Sequence, residues 1–305
     1  MATESPADAP DWLGACRRSV SAIATMLNDR PTIAERVIET GTRGEGGDRT
    51  LEIDKAAEDI VFGELDALHA AGARFCAVSE ERGMVDFGSS ALRVIIDPID
   101  GSLNAKRGLP HFALSVAVAD GPTMADVFFG FVQDFGPREE WRAVRGEGAW
   151  LDGTVLDPTL VERRNRLGKL EVVGVESADP RWVVQSVDAL EETTHRIRAI
   201  GAIAVSLCQV AAARFDAMAS LKKCRAVDAA AAQLIVREAG GLLEFIAYDD
   251  PLAAPLDLEP HSPVIAARTP RDSPQFGAFR RGHENARGPT RPTENVTERP
   301  PGGHP

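Results

Sequence analysis

Cysteine is scarce and scattered: Cys16, Cys76, Cys208 and Cys224 never form a Cys-x-x-Cys pair, so reduced thiols fit better than a zinc site or a disulfide framework. Basic residues are outnumbered, 34 Lys and Arg against 46 Asp and Glu. The resulting formal charge of −12 repels nucleic-acid phosphates and anionic membranes, and neither is expected as a partner. No long apolar run is present: the most apolar stretch, 199–213, is interrupted by Ser206 and Gln209 and falls short of the ~18 residues of a membrane span. Residues 1–10 lack a basic stretch ahead of an apolar one, so a cytoplasmic address is expected. No repeat at solenoid periods is visible.

What is present is a globular composition, 44% apolar and 26% charged over 305 residues, enough for one large or two modest domains. Residues 11–28 carry Trp12, Ala15, Val20, Ile23 and Leu27 at helical spacing. Residues 53–70 repeat the pattern with Ala57, Ile60, Val61, Leu65 and Leu68 ahead of a stop at Gly72. Between them 41–50 holds four glycines, which predicts a mobile loop. Short apolar or alternating runs at 73–78, 92–96, 112–119, 126–133 and 140–144 read as strands. From about 151 the elements alternate, with strands at 170–175, 195–199, 215–220, 242–245 and 264–267 and helices at 181–190, 202–214 and 228–239. The expected organisation is an N-terminal α+β unit over 11–150 and a C-terminal α/β unit over 151–283. Disordered ends are expected at 1–10 and 284–305, the latter holding five prolines and three glycines.

Chemistry concentrates where the apolar run 92–96 meets Asp97-Pro98-Ile99-Asp100-Gly101-Ser102. Pro98 fixes its own φ and restricts Asp97, so a rigid turn can aim both carboxylates and the Ile99 carbonyl at one point. Oxygen donors without His or Cys nearby favour Mg²⁺ over zinc or copper. Gly101 has no Cβ to obstruct approach, and a helix starting there would turn the Gly101 and Ser102 amides toward an anion, so the pairing of metal and anion points to phosphate. The same string also reads as an ordinary turn whose aspartates bond their own backbone. Glu80, in Ser79-Glu80-Glu81-Arg82, follows an apolar run and reads either as a ligand or as part of a solvated turn. Asp228 stands immediately ahead of an alanine-rich helix that ends at Gly240-Gly241, and reads as a ligand or as a plain N-cap.

Together the three segments resemble the inositol monophosphatase family of Mg²⁺-dependent phosphatases. The family's Glu-Glu, Asp-Pro-x-Asp-Gly-Thr/Ser and Trp-Asp-x-Ala-Ala-Gly…Glu-Ala-Gly-Gly motifs occur here in order. Arg145-Gly-Glu-Gly-Ala-Trp-Leu-Asp-Gly153 and Gly201-Ala-Ile-Ala-Val-Ser-Leu-Cys208 match two further family segments, and the likeness runs from about residue 11 to 268. The resemblance implies an α/β fold, the layered αβαβα sandwich of the inositol monophosphatase and fructose-1,6-bisphosphatase type. It implies that Glu80, Asp97, Asp100 and Asp228, with the Ile99 carbonyl, hold Mg²⁺. Asp54, in Thr50-Leu-Glu-Ile-Asp54, would pair with the Ser102 hydroxyl and act with Glu80 in activating water, while Gly101 and Ser102 would bind phosphate. Converging carboxylates raise one another's pKa unless cations stand between them, which agrees with that assignment. A homodimer is implied as well.

The departures bear on substrate. Val227 replaces the family tryptophan, an alanine replaces the glycine that follows the family's alanine pair, and Leu221 stands where inositol-selective members carry a glutamate. Lys222, Lys223 and Arg225, with Lys106 and Arg107, can meet a second phosphate or lie on solvated faces. The nearer likeness is to the archaeal-type branch, which hydrolyses both fructose 1,6-bisphosphate and inositol monophosphate. The expected function is therefore phosphomonoester hydrolysis on a small phosphorylated substrate. Two alternatives stay open: a 3′-phosphoadenosine 5′-phosphate phosphatase, for which a single tyrosine, Tyr248, leaves few rings to clamp adenine, and a non-catalytic regulator binding metal or phosphate.

Overall fold

The computed structural model describes residues 10–46 and 49–268, so of the disordered ends expected at 1–10 and 284–305 all but Pro10 lies outside the described residues. α1 (Trp12–Asn28) starts at Asp11, whose Oδ1 accepts from the Gly14 N–H at 2.9 Å, and buries Trp12, Cys16, Ile23 and Leu27. α2 (Ile33–Arg36) is one turn closed by a Thr32–Glu35 capping box. β1 (Glu39–Arg43) and β2 (Arg49–Leu51) pair antiparallel. α3 (Glu52–Ala70) then buries Ile53, Ala57, Val61, Phe62, Leu65 and Leu68 at helical spacing.

β3 (Phe75–Ser79) is followed by β4 (Gly83–Asp100), which is long because it passes β3 twice: Ser79 pairs with Gly83 on the first run and with Ile96 on the return. After α4 (Ser102–Arg107), the strands β5 (Ala113–Ala119), β6 (Val127–Asp134), β7 (Glu139–Val144), β8 (Gly148–Leu151) and β9 (Thr154–Val155) extend the sheet antiparallel in chain order. A second sheet, of order β11-β10-β12-β14-β13, is built from β10 (Leu170–Glu176), β11 (Thr194–Arg198), β12 (Ala217–Ser220), β13 (Leu242–Phe245) and β14 (Val264–Ala267). β10 runs parallel to β11 and β12, and β14 antiparallel to β12 and β13. Interspersed are α5 (Pro180–Gln185), α6 (Val187–Thr193), α7 (Ile203–Ala211) and α8 (Ala226–Glu238).

Three hydrophobic clusters join five structural layers. Trp12, Ile23, Val61 and Phe62 pack on Phe75, Ile96 and Phe131, joining α1 and α3 to the outer face of the first sheet. The inner face, with Ile95, Ala117 and Val132, meets α7 and α8, which rest in turn on Met218, Phe245 and Val264 of the second sheet. Trp182, Val183 and Leu190 of α5 and α6 cover the far side of that sheet at Val173, Ala219 and Ile265. This is the expected αβαβα sandwich. A helix between two sheets has no solvated face, which is why α8 buries residues all round, including Ala229, Ala230, Ala231 and Ala232. The small side chains bring its backbone so near β6 that a Cβ at Gly130 would stand 2.6 Å from the Ala231 carbonyl oxygen. Gly130→Val is expected to destabilise the chain by about 1–3 kcal/mol through overpacking. A urea midpoint that did not move would mean that helix and strand are not in contact there.

The structure departs from the sequence reading in four places. The glycine-rich 41–50 segment, expected as a mobile loop, contributes to both strands of a hairpin, Arg43 opposite Arg49, with Gly41 inside β1 and Gly44 and Gly46 in the turn that follows it. The first run of β4 is unforeseen, since Gly83 and Phe87 are buried there among half-buried and exposed neighbours. The single helix expected over 181–190 is two, parted at Ser186, whose N–H bonds back to the Trp182 and Val183 carbonyls. Asp228 is not the N-cap of α8 but its third residue, with Arg225 as the cap. Among the described residues no helix is long and apolar enough to cross a membrane.

Candidate active site

Four short stretches of chain bring their polar groups to one cavity of about 410 Å³. The end of β4 supplies Asp97, Ile99 and Asp100, all buried. The Asp97 Oδ1 accepts from the Ile99 N–H at 3.0 Å, and Asp100 accepts from the Ile203 and Ala204 amides of the first turn of α7, at 3.2 and 2.8 Å. That contact fixes the strand end to the middle helix layer and lets a carboxylate face a helix N-terminus. Gly101 follows at φ +84°, where a Cβ would meet the Ala202 Cβ at 3.0 Å and the Gly201 and His111 carbonyl oxygens at 3.1 Å. Ser102 then opens α4, and the Asn104 Nδ2 ties that turn to the His111 and Ile200 carbonyls at 2.9 and 2.7 Å. Buried Glu176 holds the next segment, accepting from the Ile200 and Gly201 amides at 3.0 and 2.9 Å and from the Ser206 hydroxyl at 2.5 Å.

Glu80 and Glu81 stand on the turn after β3. Beneath them, Glu58 of α3 is buried and accepts from the Ser79 hydroxyl and from the Glu81 and Arg82 amides at 3.3 and 3.2 Å. The Arg82 guanidinium, 3.3 Å from Glu58 and 4.2 Å from the centre of the Phe62 ring, closes that anchor. Above them, the tip of the β1–β2 hairpin donates from the Gly46 N–H to the Glu80 carbonyl at 2.8 Å. Glu58 is thus the residue that aims Glu80. Glu58→Ala leaves a hydroxyl and two amides without their acceptor, and is expected to cost about 1–3 kcal/mol of stability, measured by denaturant unfolding against the parent chain. Parental stability would mean that the turn stands without it.

Asp54 is the third residue of α3 and takes a hydrogen bond from the Leu51 amide. Burial, then the charges of Glu81 and Glu80, push its carboxyl up to about 7, against the opposing pull of Lys106. Its Oδ1 is buried without a hydrogen-bond partner. Asp228 is likewise third in α8, its Oδ2 accepting from the Arg225 amide at 2.8 Å. The Arg225 guanidinium spans the gap between segments, with Nη1 2.7 Å from Glu80 Oε1 and Nη2 3.3 Å from Asp228 Oδ1.

Asp54, Glu80, Asp97, Ile99, Asp100, Gly101, Ser102, Arg225 and Asp228 therefore line one cavity, joined by Glu39, Glu81 and Lys106. Lys222, Lys223 and Arg107 are exposed and are not among its lining residues, and the Lys222 Nζ lies 5.9 Å from the Trp182 ring centre instead. Seven carboxylates, Glu39, Asp54, Glu80, Glu81, Asp97, Asp100 and Asp228, face two cationic side chains, Lys106 and Arg225. Burial and mutual repulsion hold Asp97 and Asp100 well above the ordinary carboxylate range. Such a donor set, all oxygen and with one buried oxygen unpartnered, fits a hard divalent cation. Among the described residues no three such side chains are drawn together closely enough to hold one as they stand, and the Arg225 guanidinium lies between two of them. Glu39, Glu58 and Glu176 escape the sequence reading, because their acidic side chains carry no local signal and only the tertiary contacts give them a partner.

Comparison with known proteins gives the same answer from outside the site. The family model for the inositol monophosphatase family matches residues 13–277. A fructose-1,6-bisphosphatase/inositol-1-monophosphatase of Methanothermobacter thermautotrophicus is 32% identical over 66% of this chain and 72% of its own length. The Nus factor SuhB of Pasteurella multocida is 32% identical over 64% of this chain and 71% of its own. Among solved structures, an inositol monophosphatase-fructose 1,6 bisphosphatase superposes with a TM-score of 0.69 at 27% identity, covering 85% of this chain and 95% of that one. Motif order, layered fold and matched length converge, and the chain belongs to the inositol monophosphatase family.

Proposed function

We propose that this chain is a Mg²⁺-dependent phosphatase that hydrolyses phosphate monoesters of small polyols or sugars, inositol monophosphate or a sugar bisphosphate such as fructose 1,6-bisphosphate. The observation that carries the reading is the meeting of Glu80, Asp97, Asp100 and Asp228 with Asp54, Gly101 and Ser102 on one cavity. Glu80, Asp97, Asp100, Asp228 and the Ile99 carbonyl would hold the metal, which when bound supplies charge neutralisation for the phosphate and the leaving oxygen and acidifies a water. Gly101, whose φ of +84° and close packing against Ala202 exclude a side chain, would set the turn that presents Ser102 to the phosphate. Asp54 has an unpaired buried oxygen with which to take a proton from an attacking water. Lys106 is the basic side chain of the cavity wall that faces Asp54 rather than the Glu80–Asp228 pair, and it is suited to a second anionic group on the substrate. The described lining contains no aromatic ring, which favours a polyol or sugar over adenine.

The test is phosphate release by the purified chain from fructose 1,6-bisphosphate, inositol 1-phosphate and 3′-phosphoadenosine 5′-phosphate, with and without Mg²⁺. Mg²⁺-dependent release from either of the first two is expected. Release from the nucleotide alone would move the assignment to nucleotide phosphatases. A folded chain inactive on all three would favour the regulator reading, to which the name of the Pasteurella relative also leans.

A further inference from the structure

Arg225 is held in a way that phosphate recognition does not require. Its side chain is 18% exposed and lies between two carboxylates of separate segments, Glu80 at 2.7 Å and Asp228 at 3.3 Å. Its backbone amide takes the other Asp228 oxygen at 2.8 Å, so both oxygens of that carboxylate are engaged by one residue. The hairpin tip closes over the pair: a Cβ at Gly46 would come within 2.7 Å of the Arg225 Nη1 and 2.9 Å of the Glu80 Cγ. A guanidinium stays charged at any working pH and its planar fork suits two acceptors at once. A cation so placed neutralises part of an acidic cavity that would otherwise repel itself.

We infer that Arg225 is the resident counter-cation of the metal-free site, holding Glu80 and Asp228 until a divalent ion displaces its guanidinium, so that arginine and metal compete for the same oxygens. The inference rests on the metal-dependent reading above. It casts Arg225 as a positioning residue that sets metal affinity through its two carboxylate partners, and it accounts for the absence of a ready-made ligand cluster among the described residues. Coupling is reciprocal: metal weakens the Arg225 pairing by the factor by which that pairing weakens metal binding.

The experiment titrates the full chain, stripped of metal by chelation and dialysis, with MgCl₂ in a calorimeter without substrate. R225M keeps an apolar stem of similar reach and removes the charge; its Kd for Mg²⁺ is expected to be lower than the parent's by at least about fivefold, the low end of ordinary coupling between sites. Metal-free R225M should also melt below the metal-free parent and gain more from added Mg²⁺. Structural damage alone would weaken metal binding rather than tighten it. R225K, which keeps the charge but loses the fork, should bind Mg²⁺ more tightly than the parent by a smaller factor, and it serves if metal-free R225M does not fold. A Kd equal to or above the parent's in the folded variants overturns the inference while leaving the metal-dependent reading intact. No Mg²⁺ binding by parent or variants overturns both.

Discussion

Asp97→Asn is expected to lower kcat/KM by about 10³-fold or more on whichever phosphate ester proves to be the substrate, with the fold retained. Asn keeps the volume of Asp and the oxygen that accepts from the Ile99 amide at 3.0 Å, so the turn at the end of β4 has reason to stand. What goes is a negative charge at the most buried part of the cavity, and with it several kcal/mol of the stabilisation a bound cation gives a transferring phosphoryl group. The check is steady-state kinetics at saturating Mg²⁺ beside a melting curve. The melting curve should show a metal-free Asp97→Asn chain no less stable than its parent, because the amide removes a carboxylate that burial and then Glu80 and Asp100 disfavour. Unchanged turnover would remove Asp97 from the chemistry.

Removing divalent metal should lower the melting temperature, and more so at high pH. In the metal-free chain burial, followed by the neighbouring acidic charges, raises Asp97 and Asp100 well above their ordinary values. Carboxyls with raised folded-state pKa bind more protons in the native than in the unfolded chain, so stability falls as pH climbs above the unfolded value of about 4. The chelated protein should therefore melt higher at about pH 5 than at about pH 8. Mg²⁺ at about a hundred times its Kd should raise the melting temperature by roughly 4–5 °C at the higher pH, from about 2.7 kcal/mol of linkage. At the lower pH protons compete for the same oxygens, and the gain should shrink. A melting temperature indifferent to Mg²⁺ at both values would mean that the cavity does not bind it.

How far the sequence could be read follows from where each signal lies. Asp97, Ile99, Asp100, Gly101 and Ser102 are legible because one run of chain carries both carboxylates and the turn that aims them. α3 is legible because its buried face recurs at helical spacing and α8 because an alanine-rich run ends at Gly240-Gly241, and they carry Asp54 and Asp228 in their first turns. The double pass of β4 is not, since its first run, Gly83-Met-Val-Asp-Phe-Gly-Ser-Ser90, carries no sustained period-2 pattern and its register depends on β3. Glu58 is not legible either: its partners at Ser79, Glu81 and Arg82 come from another element, and a glutamate on a helix otherwise reads as solvated. The basic cluster 222–225 is the sharpest case. Composition treats Lys222, Lys223 and Arg225 alike, yet only Arg225, as the cap of α8, lines the cavity, and there it meets carboxylates.

The account stands on divalent ions gathering oxygens from distant parts of the chain, and anomalous scattering from crystals grown with Mn²⁺ in place of Mg²⁺ tests that directly. The prediction is an anomalous peak at ligand distance, about 2.1 Å, from oxygens of Asp97 and Asp100, with Glu80 and Asp228 completing the shell and the Arg225 side chain moved off them. Peaks confined to the molecular surface, with Glu80 and Asp228 still bridged by Arg225, would contradict it.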